Sequence, residues 1–140
     1  MKYPTEILGE GEDDGTMPKN LEDLRTAVIG RKIVKVEDVP ATLETPYGQL
    51  STTVITLDDG TQVELVGSED CCARTEVVAF FLHPEMVDHA ILGVGTTGHY
   101  TVWHIFADYG DILELAVGWS CGNAFYYGYG FDIRVEEVAE

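Results

Sequence analysis

Leu50-Ser51-Thr52-Thr53-Val54-Ile55-Thr56-Leu57-Asp58-Asp59-Gly60-Thr61-Gln62-Val63-Glu64-Leu65-Val66 is the stretch that decides the fold. β-Branched residues dominate both arms, and Asp58-Asp59-Gly60 places a glycine where a hairpin turn needs positive φ. Two antiparallel strands follow. Outward from this hairpin the same pattern recurs, predicting eight strands over 32–39, 50–57, 61–66, 75–82, 89–94, 100–107, 112–119 and 125–135. Tyr109-Gly110-Asp111 predicts a second turn. Residues 84–88 fit either one helical turn or a loop.

One segment breaks the β pattern. Asn20 precedes Leu21, Leu24, Val28 and Ile29, with Asp23 three residues on and Gly30 as a stop, which predicts one short helix capped by Asn20. The fold expected is α+β: a mainly antiparallel β sheet, sandwich or open barrel with one N-terminal helix. Residues 1–19 carry Pro4, Gly9, Gly11, Gly15 and Pro18 around the acidic run Glu10 to Asp14 and read as a mobile or loosely docked acidic arm. Residues 20–140 read as a single globular domain.

Two strands carry further information. In 125–135 the odd positions Phe125, Tyr127, Tyr129, Phe131, Ile133 and Val135 form an apolar face, expected in the core. The even positions Tyr126, Gly128, Gly130, Asp132 and Arg134 leave a shelf with two side chains missing, which fits either a bulge or a surface for a ligand. Residues 100–107 are apolar on both faces, so each must be covered, by other layers or by a second copy; a homo-oligomer is the expectation.

The chain has 140 residues, a mass of 15.4 kDa and 45% hydrophobic residues, enough for one core and against wholesale disorder. Its formal charge is −17. Six of the eight basic residues lie in the first 35 positions, so beyond Lys35 only Arg74 and Arg134 face eighteen acidic residues. Nonspecific binding to nucleic acid or to an anionic membrane is therefore electrostatically opposed. Cys71, Cys72 and Cys121 are an odd number without secretory spacing, the N-terminus has no apolar signal segment, and no apolar run is long enough to span a bilayer. A cytoplasmic protein is the expectation.

Signals for chemistry are weak. Adjacent Cys71 and Cys72 point to opposite faces in extended chain and cannot readily clamp one ion, and His83, His89, His99 and His104 form no ligand motif. No metal, no cofactor and no catalytic residue is expected. Gly93-Val94-Gly95-Thr96-Thr97-Gly98 lacks the lysine of a phosphate loop and reads as a turn between strands.

Leu65-Val66-Gly67-Ser68-Glu69-Asp70-Cys71-Cys72 and Gly122-Asn123-Ala124-Phe125-Tyr126-Tyr127-Gly128-Tyr129-Gly130 resemble a family of small uncharacterised bacteriophage proteins. That family carries an Asp-Cys-Cys element and a C-terminal Asn-Gly-Tyr-Tyr-Gly-type element; here Ala124-Phe125 stands between Asn123 and the tyrosines. The resemblance covers roughly 31–135 and implies an accessory protein that counters host defence in the host cytoplasm, without implying a mechanism. Sequestration of a nucleotide-derived immune signal is the leading expectation. An acidic inhibitor or DNA mimic acting on a host defence protein is the alternative, and turnover of a signal is disfavoured. The ligand set expected for sequestration is Arg74 and Arg134 as anion anchors, Tyr126 and Trp103 as stacking platforms, Asn123 as a polar contact and Asp70 beside them in the Asp-Cys-Cys element. The plainer reading is that each arginine neutralises nearby acids.

Overall fold

The computed structural model describes residues 3–7, 16–45, 48–69, 74–119 and 130–137. In chain order these give helix α1 (Thr16–Val28) and strands β1 (Ile33–Thr45), β2 (Gly48–Leu57), β3 (Gln62–Val66), β4 (Ser68–Glu69) and β5 (Arg74–Leu82). A short 3-10 turn (Pro84–Met86) follows, then β6 (Gly93–Thr97), β7 (Val102–Ala107), β8 (Gly110–Trp119) and β9 (Asp132–Glu136). One sheet has the order β1-β2-β3-β9 and the other β4-β5-β8-β7-β6. Every pairing is antiparallel. The protein is thus an α+β, mainly antiparallel β fold with an N-terminal helix, as the patterning predicts.

The opening hairpin behaves as its sequence dictates. Gly60 takes φ 88°, the Asp59 carboxylate accepts the Thr61 N–H at 3.0 Å, and Thr56 pairs with Gln62. Ile55 and Leu57 of β2 and Val63 and Leu65 of β3 all face one core, shared with Leu24 and Val28 of α1 and with Trp103, Ile105, Leu113 and Leu115 of the second sheet. The chain crosses between sheets at Gly67, where an added Cβ would lie 2.8 Å from the Thr75 carbonyl oxygen. That close approach accounts for the glycine in the first family-like element.

Several expectations need correction. Asn20 does not cap the helix, which begins four residues earlier at Thr16. Its buried side chain instead staples the helix to the last strand: Oδ1 accepts the Phe131 N–H at 2.6 Å and the Nδ2 group donates to the Phe131 carbonyl at 2.9 Å. A polar residue at the start of an apolar stripe looks like a cap from sequence, and only tertiary pairing distinguishes the two. The run Gly93 to Thr97 is not a turn but the edge strand β6, while 89–92 form no strand. Its glycines answer to close approach: a Cβ on Gly93 would meet the Phe106 ring at 2.9 Å, and one on Gly95 would strike Tyr3. Of the expected strand 125–135, the part 125–129 lies outside the described residues. In the described part Phe131 is buried and Ile133 packs on the core, but Val135 is exposed. Gly130 sits at φ 66° where an added Cβ would run into Asn20, so its missing side chain serves the helix staple.

Both faces of β7 are covered within one chain. Trp103, Ile105 and Ala107 face the core, and on the other side Tyr3 lies against His104 and Phe106. The described residues therefore do not leave two bare apolar faces on β7 for a second copy to cover. Of the expected arm, Tyr3 lies on this outer face and Glu6 on the backbone of His99 and Tyr100, and 8–15 are outside the described residues. No helix among the described residues is long and apolar enough to cross a membrane.

Candidate functional site

The polar side of the second sheet is built by one hairpin and one irregularity. In β7 and β8, His104 stands opposite Glu114, and strand alternation puts both on the outer face. The register then shifts by one between Ile105 and Phe106, so Phe106 pairs with Asp111 and Ile112 becomes the extra residue, turned into the core. The bulge brings Asp111 to the same side as His104 and Glu114. On the other neighbour of β7, Gly95 stands opposite His104, and its lack of a side chain admits the Tyr3 ring.

These residues form a continuous polar chain. His104 Nδ1 lies 2.9 Å from Asp111 Oδ2 and 3.9 Å from Glu114 Oε1, and its Nε2 lies 2.7 Å from the Thr97 hydroxyl. The Tyr3 hydroxyl donates to Asp111 Oδ1 at 2.7 Å, and its ring stacks on the imidazole with centroids 4.2 Å apart. Glu114 Oε2 meets His83 Nε2 at 2.9 Å. His104 is only 7% exposed, whereas Glu114 and His83 open toward solvent. Burial first, and then the hydrogen bond to Asp111, push the Tyr3 phenol well above its usual range. The Glu114 carboxylate raises His83 above its ordinary value, against a smaller opposing effect of burial.

A second contact fastens the same N-terminal segment. Glu6 accepts the N–H groups of His99 at 2.7 Å and Tyr100 at 2.9 Å, both residues having positive φ (63° and 62°). Burial works to raise its carboxyl, but the Tyr100 N–H, the Thr96 hydroxyl and the His99 N–H together outweigh it and hold Glu6 below the ordinary carboxylate range. Two successive backbone donors thus cradle an anion without any arginine. Beside them the Trp119 indole N–H donates to the His99 carbonyl at 3.0 Å and its ring lies parallel to the imidazole.

Among the described residues, only Trp103 and Arg134 of the expected ligand set can be placed with their side chains, and they lie on different sheets. Trp103 is 0% exposed, in edge-on contact with Phe131 and donating its indole N–H to the Tyr100 carbonyl, so it cannot stack on a ligand. Arg134 lies on β9 of the other sheet, exposed, with its guanidinium on Asp132 at 2.8 Å, as the plainer reading had it. Arg74 opens β5 opposite Glu69, and its side chain is not among those described. Asp70, Asn123, Tyr126 and the three cysteines lie outside the described residues.

What the sequence reading missed is the group His104, Asp111 and Glu114. Its signals were present: His104 breaks the apolar row of β7, Glu114 interrupts Ile112-Leu113-Leu115, and Asp111 follows the turn glycine. Only the paired register with its bulge puts them together.

Residues 26–133 match a family described as a domain of unknown function, DUF7448. The chain belongs to that family. Neither a curated protein nor a solved structure matches it. The DUF7448 match takes in His83, Thr97, His104, Asp111 and Glu114, and leaves Tyr3 and Glu6 in the segment before it.

Proposed function

We propose that this DUF7448 protein is a phage accessory protein that works by binding without turnover, as an acidic ligand for a basic surface of a host defence protein in the host cytoplasm. The observation behind it is the state of the cations. Lys19 pairs with Asp23, Arg25 with Glu22, Arg31 with Asp59, Lys35 with Glu37 and Arg134 with Asp132. Against a net charge of −17, these pairings leave a field that favours a cationic partner and opposes a polyphosphate. Local neutralisation of Arg25, Arg31 and Arg134 moves the balance away from nucleotide capture and toward the protein partner.

The test is displacement of labelled duplex DNA from basic host defence proteins by the purified chain, across a salt series. Displacement that weakens steeply with salt supports the proposal; failure to displace DNA from any of them overturns it. Sequestration of a nucleotide-derived signal keeps one supporting observation, the paired N–H groups of His99 and Tyr100 that already hold a carboxylate. Mass spectrometry of small molecules released on heat denaturation separates the readings. A nucleotide released in stoichiometric amount favours sequestration.

A further inference from the structure

We infer that His104, Asp111 and Glu114 form a binding site for one divalent first-row metal ion with nitrogen and oxygen ligation, of the manganese or zinc kind. The inference stands apart from the partner-binding proposal and neither needs the other. One ligand atom from each residue faces the other two, His104 Nδ1 and one carboxylate oxygen each from Asp111 and Glu114, all within 4.8 Å of one another. Bonds of about 2.1 Å would bring the three to roughly 3.0–3.4 Å apart. The 2.9 Å separation of His104 from Asp111 is already of that order, and the 3.9 Å to Glu114 closes by a small swing of a half-exposed side chain.

The stronger argument lies in the atoms that do not face the centre. Each ligand has its second polar atom held by a different partner: His104 Nε2 by the Thr97 hydroxyl, Asp111 Oδ1 by the Tyr3 hydroxyl, and Glu114 Oε2 by His83. Metal sites almost always carry such an outer ring, because it fixes ring orientation and leaves one lone pair per ligand pointing inward. A cluster of carboxylates gathered by chance on an acidic surface has no reason to show it. Without an ion, the proton on Nδ1 bridges His104 to Asp111; with one, that proton belongs on Nε2, and the Thr97 hydroxyl can accept it as readily as it can donate. Two carboxylates neutralise a divalent charge, and the excess negative charge of the chain attracts it. The imidazole nitrogen suits zinc and the two carboxylates suit manganese, whereas magnesium and calcium prefer all-oxygen sites. Three protein ligands leave coordination positions for water or for a partner's side chain.

Titration of the full chain with Mn²⁺, followed by the loss of the free-ion electron paramagnetic resonance signal, tests the site without interference from thiols. One ion per chain is expected, with Zn²⁺ competing and equimolar Mg²⁺ not. His104→Gln and Asp111→Asn should abolish measurable binding. Glu114→Gln, at a half-exposed position that does not threaten folding, should weaken it at least tenfold. Thr97→Val and His83→Gln should each weaken it about 10–100-fold through the outer ring. His89→Gln, which removes an imidazole paired with Asp108 and not with any of the three ligands, should leave it unchanged. Absence of bound Mn²⁺ and Zn²⁺, or binding indifferent to Glu114→Gln and His104→Gln, overturns the inference and leaves the cluster as a hydrogen-bond network.

Discussion

Trp103 and His104 are consecutive residues of β7, and their side chains belong to different worlds. Trp103 is sealed among Tyr100, Phe131 and the sheet-to-helix core, where its single polar atom finds one backbone carbonyl. His104 is nearly as buried but stands in a line of ionisable groups, covered by one aromatic ring from the N-terminal segment. The difference teaches that burial alone does not assign a role. The inner face is shared by α1 and both sheets and holds the fold together. The outer face is closed by a few residues of the N-terminal segment, Tyr3 against His104 and Phe106.

The largest effect is expected on the inner face. Trp103→Ala should remove about 3–5 kcal/mol of stability and lower the melting temperature by roughly 10 °C or more, measured by circular dichroism. A loss below about 1 kcal/mol would mean that the two sheets do not share one core. Next is Asn20→Ala, which strands the Phe131 N–H and carbonyl in a buried setting; each orphaned group costs about 1–3 kcal/mol. Chemical denaturation should show that loss, and an unchanged midpoint would break the proposed staple between α1 and β9.

On the outer face the effects should be local. Gly95→Val would push Tyr3 off His104, so the ring-current shifts of the His104 protons should vanish and proteolysis near the N-terminus should quicken. Global stability should move by less than about 1 kcal/mol, because Tyr3 and its N-terminal segment stand outside the common core. A collapse of the fold would erase the distinction between the faces.

Smallest are the pH effects, and they have opposite signs. Glu6 has a lowered carboxyl, so its contribution is complete above its ordinary value of 4.5 and fades as pH falls through the lower folded value. His83 is raised, so its pairing with Glu114 contributes fully below 6.5 and is lost as pH rises through the higher folded value. Glu6→Gln and His83→Gln should flatten the acid and the near-neutral limbs of the stability profile respectively. Limbs that keep their slope in these variants would assign the titrations to other groups.

The sequence made the strands legible wherever local pattern and local turn agreed, as at Leu50 to Val66 around Gly60. It misled where a residue's role was set across the molecule. Asn20 looks like a cap because its partner Phe131 is far away in the chain, and Gly93 and Gly95 look like a loop because the rings that require them come from β7 and from Tyr3. The pairing of scarce arginines with motif-like elements suggested a site, but Arg134 found its carboxylate two residues away. The polar group on β7 and β8 depends on a one-residue register shift, which alternation in the sequence does not encode.

If β7 carries the fold on one face and the proposed cation site on the other, the two can be separated by melting three proteins with and without Mn²⁺. Wild type should melt higher in the presence of the ion, through a stabilisation of about 2.7 kcal/mol at a hundredfold excess over its dissociation constant. Trp103→Phe should melt lower yet rise by the same amount, while His104→Gln should melt within about 2 kcal/mol of wild type and show no rise. A His104→Gln protein that still gains stability from the ion, or a wild type that gains none, would contradict the account.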